Sequence, residues 1–573
     1  MNFMKITQYY HRFWKRIFMF SALIWVVFFF TTLYFESKKY VDDDLEQTLV
    51  IALQQIDELH RTNIELKAMR NNLNQKLRFN EKKLHMMMEK WKMLNGPPER
   101  YEVLRRRIYS NTKEIWYYVS SSLRSLAKEF EDLKPKISHM KTMVDEHYRS
   151  LLRDVAKLAD VDGYSQWRWK EFDSLSRLVE KRFLHAQNPP DCSKAKKLQC
   201  NFISVCPQKN CCGYGCRVHH FVKCLVVAYA TQRTMIIGTP KKWDFTSRGF
   251  ESIFLPLSDT CTSNDGETVS LWPGDESIQV INYNVPTPEY APKHLHPPYI
   301  PVVLPEDLAG RINVLHGDPA VWWIGQFFKY IFRPQPSTTS LFNEFSKRVR
   351  FQKPIVGIHV RRTDKLLGEA SFHKLEEYMY HVEEYYKLKE LNGEYHKKRI
   401  YLATDDATLF DEARLKYPEY DVIGDPEISK NAGTQKRELD SSIMNIITDI
   451  HFLSQCDHIV CTFSSNVCRL AYEIMNSLQP DASTKFNSLD DTFYFSGQVH
   501  RLNVALISHK ADNPDEMDLE VGDEIEVAGN HWDGYSKAVN LRTKKRLLYP
   551  GFKVTTKIEV LPFATYPNIT VDT

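Results

Sequence analysis

Glycine is scarce in this chain, 21 in 573 residues. None of it falls in the GxxxxGK[ST] spacing that wraps phosphates in backbone amides, so a P-loop kinase or ATPase is excluded. Charge of one sign is equally scarce: 76 Lys and Arg stand against 72 Asp and Glu, a net +4. So small an imbalance gives no diffuse field to gather nucleic acid, and partners have to be argued from particular sites. What the chain does have is apolar bulk. With 43% hydrophobic and 13% aromatic residues it can fill large cores in several domains, and it is not a disordered chain.

One stretch, Ile17 to Phe35, carries no charge and has about the length a helix needs to cross a hydrocarbon core, roughly 20 residues. Lys5, Arg12, Lys15 and Arg16 precede it and Asp42 to Asp44 follow. The positive-inside tendency then predicts a single-pass type II anchor, with 1–16 cytosolic and the bulk lumenal or extracellular. A cleaved signal peptide is the alternative, but no small-residue cleavage site follows the run. From Leu45 to Leu94 a 3/4 spacing runs through Leu49, Ile56, Leu59, Leu66, Leu73, Leu77, Leu84 and Trp91. It predicts a coiled coil that dimerises the chain, against the alternative of a long solvated helix. Gly96, Pro97 and Pro98 break it, and a second helical tract, roughly 101–158, follows.

Seven of the eleven cysteines lie between Cys192 and Cys224. Such clustering suits zinc in a cytosolic protein, but the topology just read puts it in an oxidising compartment, where disulfides are favoured. The odd count leaves at least one thiol unpaired or bridged to another chain. Beyond the cysteines, short β-rich runs alternate with helical stretches: 234–238, 278–282, 355–360, 399–406, 420–424 and 458–463. Runs apolar on both faces and separated by helices predict parallel α/β sheets, which bind ligands at the carboxyl ends of their strands. His359 to Lys365, Asp405 with Asp406, and Ser464 with Ser465 all fall on that edge. In IVGIHVRRTDK, 355–365, two adjacent arginines end a buried strand. An arginine fork grips phosphate oxygens, and a departing diphosphate needs its growing charge stabilised, so a nucleotide sugar fits the pair. The alternative is that Arg361 and Arg362 only form ion pairs with Asp364 or nearby carboxylates.

HVRRTDK at 359–365, Glu369, EEYM at 376–379, YLATDD at 401–406, DIHFLSQCD at 449–457, CTFSSNVCRLAYEIM at 461–475 and GDPAVWW at 317–323 together resemble the core α-1,6-fucosyltransferases of animal N-glycan processing. The resemblance implies a GT-B-like α/β glycosyltransferase with a Rossmann-type nucleotide-binding half, preceded by a membrane anchor and coiled-coil stem and followed by a small SH3-like barrel. It divides the chain into a tail (1–16), anchor (17–35), stem (36–160), catalytic domain (161–498, donor half about 350–490), SH3-like domain (499–565) and a second tail (566–573). It implies a Golgi membrane enzyme that moves fucose from GDP-fucose to the 6-hydroxyl of the innermost N-acetylglucosamine of an N-glycan, with inversion and without a metal or other cofactor. The two Asp-x-Asp matches, 42–44 and 160–162, lie in the stem, far from any strand end. A GDP-binding lectin-like protein without turnover and a protein O-fucosyltransferase are the rival functions.

Carried over by motif, the resemblance implies that Arg361 holds the β-phosphate, His359 and Asp449 touch the guanine and ribose, and Arg362 shapes the same pocket. Glu369 would be the general base with Lys365 beside it, while Asp364, Tyr378, Asp405, Asp406 and Ser465 are needed for activity in less defined roles. Where vertebrate members have a nucleotide-contacting tyrosine, this chain has Phe245. The implied disulfides are Cys192–Cys261, Cys200–Cys224, Cys212–Cys216 and Cys461–Cys468; Cys206–Cys211 is close enough in sequence to follow, leaving Cys456 as the odd thiol. In the C-terminal module, 517–554, the aromatic shelf that would bind Pro-rich peptides is incomplete, and His531 is the residue expected to touch the acceptor glycan. Asn568, in NIT, has the form of an N-glycosylation site.

Overall fold

The computed structural model describes residues 3–36, 45–202, 213–238, 246–285, 291–300, 302–362, 371–431, 439–495, 502–566 and 568–570. The chain forms two compact units, Met1–Lys90 and Trp91–Thr573. The first holds helix α1 (Phe3–Glu36) and most of α2 (Leu45–Asn95). Along α2 the seam positions Ile56, Leu59, Leu66, Leu73, Leu77 and Leu84 are exposed.

Among the described residues no helix is long and apolar enough to cross a membrane. That finding corrects the expected single-pass anchor at 17–35 and, with it, the expected type II Golgi membrane location.

Near the start of the second unit Gly96 breaks the helical run. Its φ of +67° is in the left-handed region, and a Cβ there would meet the Trp167 ring at 2.5 Å, so only glycine fits. Helices α3 (Glu99–Glu129) and α4 (Lys134–Val161) form a hairpin in which Trp116 Nε1 donates to Asp145 Oδ1 at 2.9 Å and the ring stacks on Tyr148 at 4.8 Å. The hairpin is tied to the rest of the unit by forked arginines. Arg149 grips Glu384 at 2.7 and 2.9 Å, and Arg106 donates to Asp481 at 3.0 Å and to the carbonyls of Asn313 and Val314.

After α5 (Ser165–Gln187) come β1 (Lys197–Phe202), α6 (Tyr214–Ala230), β2 (Thr234–Ile237), β3 (Val269–Leu271) and β4 (Val280–Val285), which form an all-parallel sheet in the order β2-β1-β4-β3. Strand β1, the partner of both β2 and β4, lies in the cysteine-rich segment and was not foreseen. Its first residue, Lys197, is fully buried with its ammonium donating to the Asp265 carbonyl at 2.7 Å, so a charged letter disguises a core strand. Strand β5 (Val303–Pro305) and helices α7 (Glu306–Leu315), α8 (Pro319–Ile331) and α9 (Pro336–Val349) lead to the second sheet.

That sheet is built from β6 (Val356–Val360), α10 (Leu375–Leu391), β7 (Arg399–Thr404), α11 (Thr408–Lys416), β8 (Asp421–Ile423), α12 (Pro426–Lys430), α13 (Asp440–Gln455), β9 (His458–Cys461), α14 (Asn466–Ser477) and β10 (Phe486–Ser488). It too is all parallel, in the order β10-β9-β6-β7-β8. Helix α8 is buried from Val321 to Ile331 at every position except Lys329, because it is packed against α14, α6 and α5. A fully buried pair, His219 Nε2 with Glu473 at 2.9 Å, ties α6 to α14.

The C-terminal strands β11 (Leu502–Ala505), β12 (Glu524–Asn530), β13 (Tyr535–Asn540), β14 (Arg546–Pro550) and β15 (Val554–Thr556) make one antiparallel sheet in the order β14-β13-β12-β11-β15. Strand β16 (Glu559–Leu561) then pairs in parallel with β5.

Disulfides join Cys192 to Cys261, Cys200 to Cys224 and Cys461 to Cys468. The second ties β1 to α6, and the third ties the end of β9 to the start of α14. Cys216 is also disulfide-bonded; Cys206, Cys211 and Cys212 lie outside the described residues. Cys456 is a buried free thiol.

Candidate active site

Strand β6 is buried along its whole length because it is the central strand of a sheet covered on both faces. From it the sheet grows to β7 on one side and β9 on the other. A crevice outside the carboxyl ends at such a switch point is where open α/β sheets take their ligands.

Three strand ends deliver polar groups there. Arg361 and Arg362 follow β6, and both reach carboxylates that follow β7. Arg361 Nη1 meets Asp405 Oδ2 at 3.0 Å, and the Arg362 backbone N–H donates to Asp405 Oδ1 at 2.8 Å. Arg362 Nη1 lies 3.3 Å from Asp406 and 3.7 Å from Glu412, with its guanidinium 4.8 Å over the Phe372 ring. The Asp405 carboxylate is enclosed, its side chain only 1% exposed, whereas Arg361 keeps 17% of its side chain accessible. Asp406 has a second task, accepting from the Thr408 N–H at 3.1 Å and hydroxyl at 2.6 Å at the start of α11. Pairing of the arginines with carboxylates is therefore real, but the partners stand on the neighbouring strand. An arginine carries five donors in a fixed fork, and here the carboxylates orient it at the cleft rim.

His359, the next-to-last residue of β6, is buried. Burial, and then the charge of Arg361, hold its imidazole down to about 4, so it is neutral at physiological pH; its Nδ1 has no hydrogen-bond partner among the described residues. Ser465 precedes α14 and is 3% exposed, its side chain making no cap bond. Tyr378 is 1% exposed on α10 within an apolar cluster, and burial, with Asp490 nearby, raises its hydroxyl above the usual phenol range.

Asp449 sits lower, on α13, where it accepts from the Tyr401 hydroxyl at 2.8 Å, and burial pushes its carboxyl up to about 7. Its folded pKa lies above the unfolded value of about 3.9, so the folded state binds the proton more tightly and stability falls as pH climbs from ~4 to ~7. Asp449→Asn removes this titration. Relative to that variant the parent protein should lose about 2–3 kcal/mol between pH 5 and pH 8, read as the difference between two urea-denaturation series. Parallel curves would show that Asp449 ionises normally.

Phe245, Asp364, Lys365 and Glu369 lie outside the described residues. His531 is exposed in the turn between β12 and β13. Its neighbour Trp532 reaches the cleft: its indole Nε1 donates to the Asp490 carbonyl at 2.9 Å, just past the end of β10. The Asp490 carboxylate in turn accepts from the Ser464 N–H at 3.3 Å and from the Ser488 hydroxyl at 3.1 Å. Nearby, Arg469 donates to the Tyr494 carbonyl at 3.0 Å and lies 3.9 Å over its ring. Trp532, Asp490 and Arg469 were not foreseen. The only local signal was an Asp-Asp pair closing a third strand-like run, the same pattern that marked 405–406.

A family model described as alpha-(1,6)-fucosyltransferase N- and catalytic domains matches residues 6–494. The alpha-(1,6)-fucosyltransferase of Drosophila melanogaster is 45% identical over 479 residues, 82% of this chain and 76% of that protein. The protein of the same name from Caenorhabditis elegans is 35% identical over 463 residues, 80% of this chain and 79% of that protein. Among solved structures, the NodZ alpha-1,6-fucosyltransferase soaked with GDP-fucose aligns with 49% of this chain and 92% of its own at 12% identity and a TM-score of 0.30. With a model spanning most of the length and relatives this similar over four-fifths of it, the chain belongs to the alpha-(1,6)-fucosyltransferase family.

Proposed function

We propose that this chain transfers L-fucose from GDP-β-L-fucose to the 6-hydroxyl of the innermost, asparagine-linked N-acetylglucosamine of N-glycans, with inversion at the anomeric carbon. Family membership supports the reaction, and one observation carries the site: Arg361, held by Asp405 at the carboxyl edge of the central strand of a parallel sheet. In this reading the 6-hydroxyl attacks C1 from the face opposite the diphosphate, its proton passes to Glu369, and the C1–O electron pair leaves with GDP. The charge that builds on the β-phosphate is met by the Arg361 fork, with Arg362 shaping the pocket and Lys365 near the acceptor. Neutral His359 suits a nucleoside contact, because it adds no further cation beside Arg361 and Arg362. No metal is needed, since two guanidiniums supply the positive charge. In this reading the two parallel sheets are the halves of a GT-B-like fold, with the five-stranded C-terminal module as an SH3-like domain that contributes His531 to acceptor binding.

The test is incubation of the purified protein with GDP-fucose and a biantennary glycopeptide, with and without a terminal N-acetylglucosamine on the α1,3 arm, in the presence and absence of EDTA. An α1,6-fucosylated core formed at the same rate in EDTA supports the reading. Fucose on a serine or threonine, or binding of GDP without turnover, refutes it.

The exposed apolar seam of α2 fits a second copy of itself in a coiled coil, so the proposal includes a homodimer through this helix. A protein truncated to begin at Tyr101 should remain active but sediment with a dimer constant weakened at least tenfold. An unchanged constant would leave α2 a spacer.

A further inference from the structure

We infer that Trp532 is a positioning residue for the acceptor side of the site, holding the loop after β10 in register with the end of β9. The inference rests on the proposed fucosyl transfer and deepens it, because it assigns the C-terminal module a mechanical part in alignment as well as a glycan contact.

Trp532 sits at the tip of the β12–β13 turn with φ +53°, a left-handed conformation unusual for a bulky residue and worth a functional explanation. The conformation is over-determined. Its backbone N–H donates to Asn530 Oδ1 at 2.7 Å, and the next turn is closed by Tyr535 N–H on Asp533 Oδ1 at 2.9 Å. On the far side α3 acts as an anvil: the Tyr117 ring lies 5.4 Å from that of Trp532, and a Cβ on Gly534 would meet Tyr118 Cβ at 2.8 Å. So braced, the indole presents one N–H, and that N–H is spent on the Asp490 carbonyl at 2.9 Å.

Asp490 passes the constraint on. Its carboxylate accepts from Ser464 N–H at 3.3 Å, from Ser488 Oγ at 3.1 Å and from Asp491 N–H at 2.6 Å, while Ser488 Oγ accepts from Phe463 N–H at 3.1 Å. Phe463 and Ser464 are the exit of β9, immediately before Ser465 and α14. A continuous run of hydrogen bonds therefore leads from the C-terminal module to the carboxyl edge at β9, across β6 from the strand that Asp405 follows. A site that aligns two substrates loses rate steeply when one wall shifts by an ångström, and this wall is held from outside the catalytic sheet.

Trp532→Phe keeps a ring against Tyr117 and removes only the N–H. Expected are a fall of about tenfold in kcat/KM for the glycopeptide acceptor, GDP-fucose affinity and acceptor-free GDP-fucose hydrolysis within twofold of the parent, and an unchanged melting temperature. Unchanged acceptor kinetics would overturn the inference while leaving the proposed function intact. Parallel loss of donor affinity, hydrolysis and melting temperature would also overturn it, assigning Trp532 to stability alone. A parent protein that does not transfer fucose to the glycopeptide would refute the functional reading and this inference together.

Discussion

Arg361→Ala should lower transfer by two to three orders of magnitude, about 3–4 kcal/mol of transition-state stabilisation, and Arg361→Lys should restore little of it. Lysine keeps the charge, but it is a point donor on a flexible stem and lacks the planar fork that meets two oxygens at once. The surroundings sharpen this. One edge of the Arg361 guanidinium is set by Asp405 at 3.0 Å, which fixes the plane in which its remaining donors point, and an ammonium drawn to the same carboxylate would be pulled back from the cleft. Removing Arg361 also takes a partner from a carboxylate whose side chain is 1% exposed, so melting temperature and GDP affinity have to be measured beside the rate. A protein that stays folded, binds GDP more weakly and turns over poorly fits the assigned role. Near-normal transfer by Arg361→Lys would reduce Arg361 to a diffuse charge.

Glu369→Gln should bind GDP almost normally and lose at least two orders of magnitude in turnover. A sugar hydroxyl is a poor nucleophile until its proton is taken, and inversion calls for a base on the face opposite the leaving GDP. The competing carboxylates at this edge are Asp405 and Asp406, and both have partners that compete for the lone pairs a base would use. Asp405 accepts from Arg361 and from the Arg362 backbone, and Asp406 accepts from Thr408 and faces Arg362. A carboxylate already serving a guanidinium together with a backbone amide or a helix start is a weaker proton acceptor than one without such partners. Asp405→Asn should therefore act through Arg361, weakening donor binding as Arg361→Ala does, while Glu369→Gln should spare it. If Glu369→Gln turns over normally and only Asp405→Asn or Asp406→Asn collapses with GDP binding intact, the base belongs on the neighbouring strand.

Much of this protein could be read from its letters, for a local reason. A strand covered on both faces is apolar along most of its length, so β6, β7 and β9 announced themselves as short runs, and the abrupt change to polar residues at Arg361, Asp405 and Ser464 marked their carboxyl ends. The resemblance to the family rested on the same stretches, and the relatives bear it out. The disulfides Cys192–Cys261, Cys200–Cys224 and Cys461–Cys468 also follow what that resemblance implied. What sequence could not convey is which distant groups meet. That Arg361 and Arg362 pair with carboxylates is an alternative the letters allow, but that Asp405 and Asp406 are among the partners follows only because β7 lies beside β6. Strand β1 was hidden by a lysine whose ammonium finds a carbonyl in a distant loop. An uncharged run read as a membrane anchor is not matched by any described helix long and apolar enough to span one. Trp532 and Asp490 are separated by 42 positions, and the Asp490–Asp491 pair that closes a strand-like run carries no sign that a tryptophan of the C-terminal module will meet it. Periodicity and burial are properties of a segment and leave their trace in it, whereas a hydrogen bond between a turn and a strand end is a property of two segments, and only the packing of the sheets and the C-terminal module brings them together.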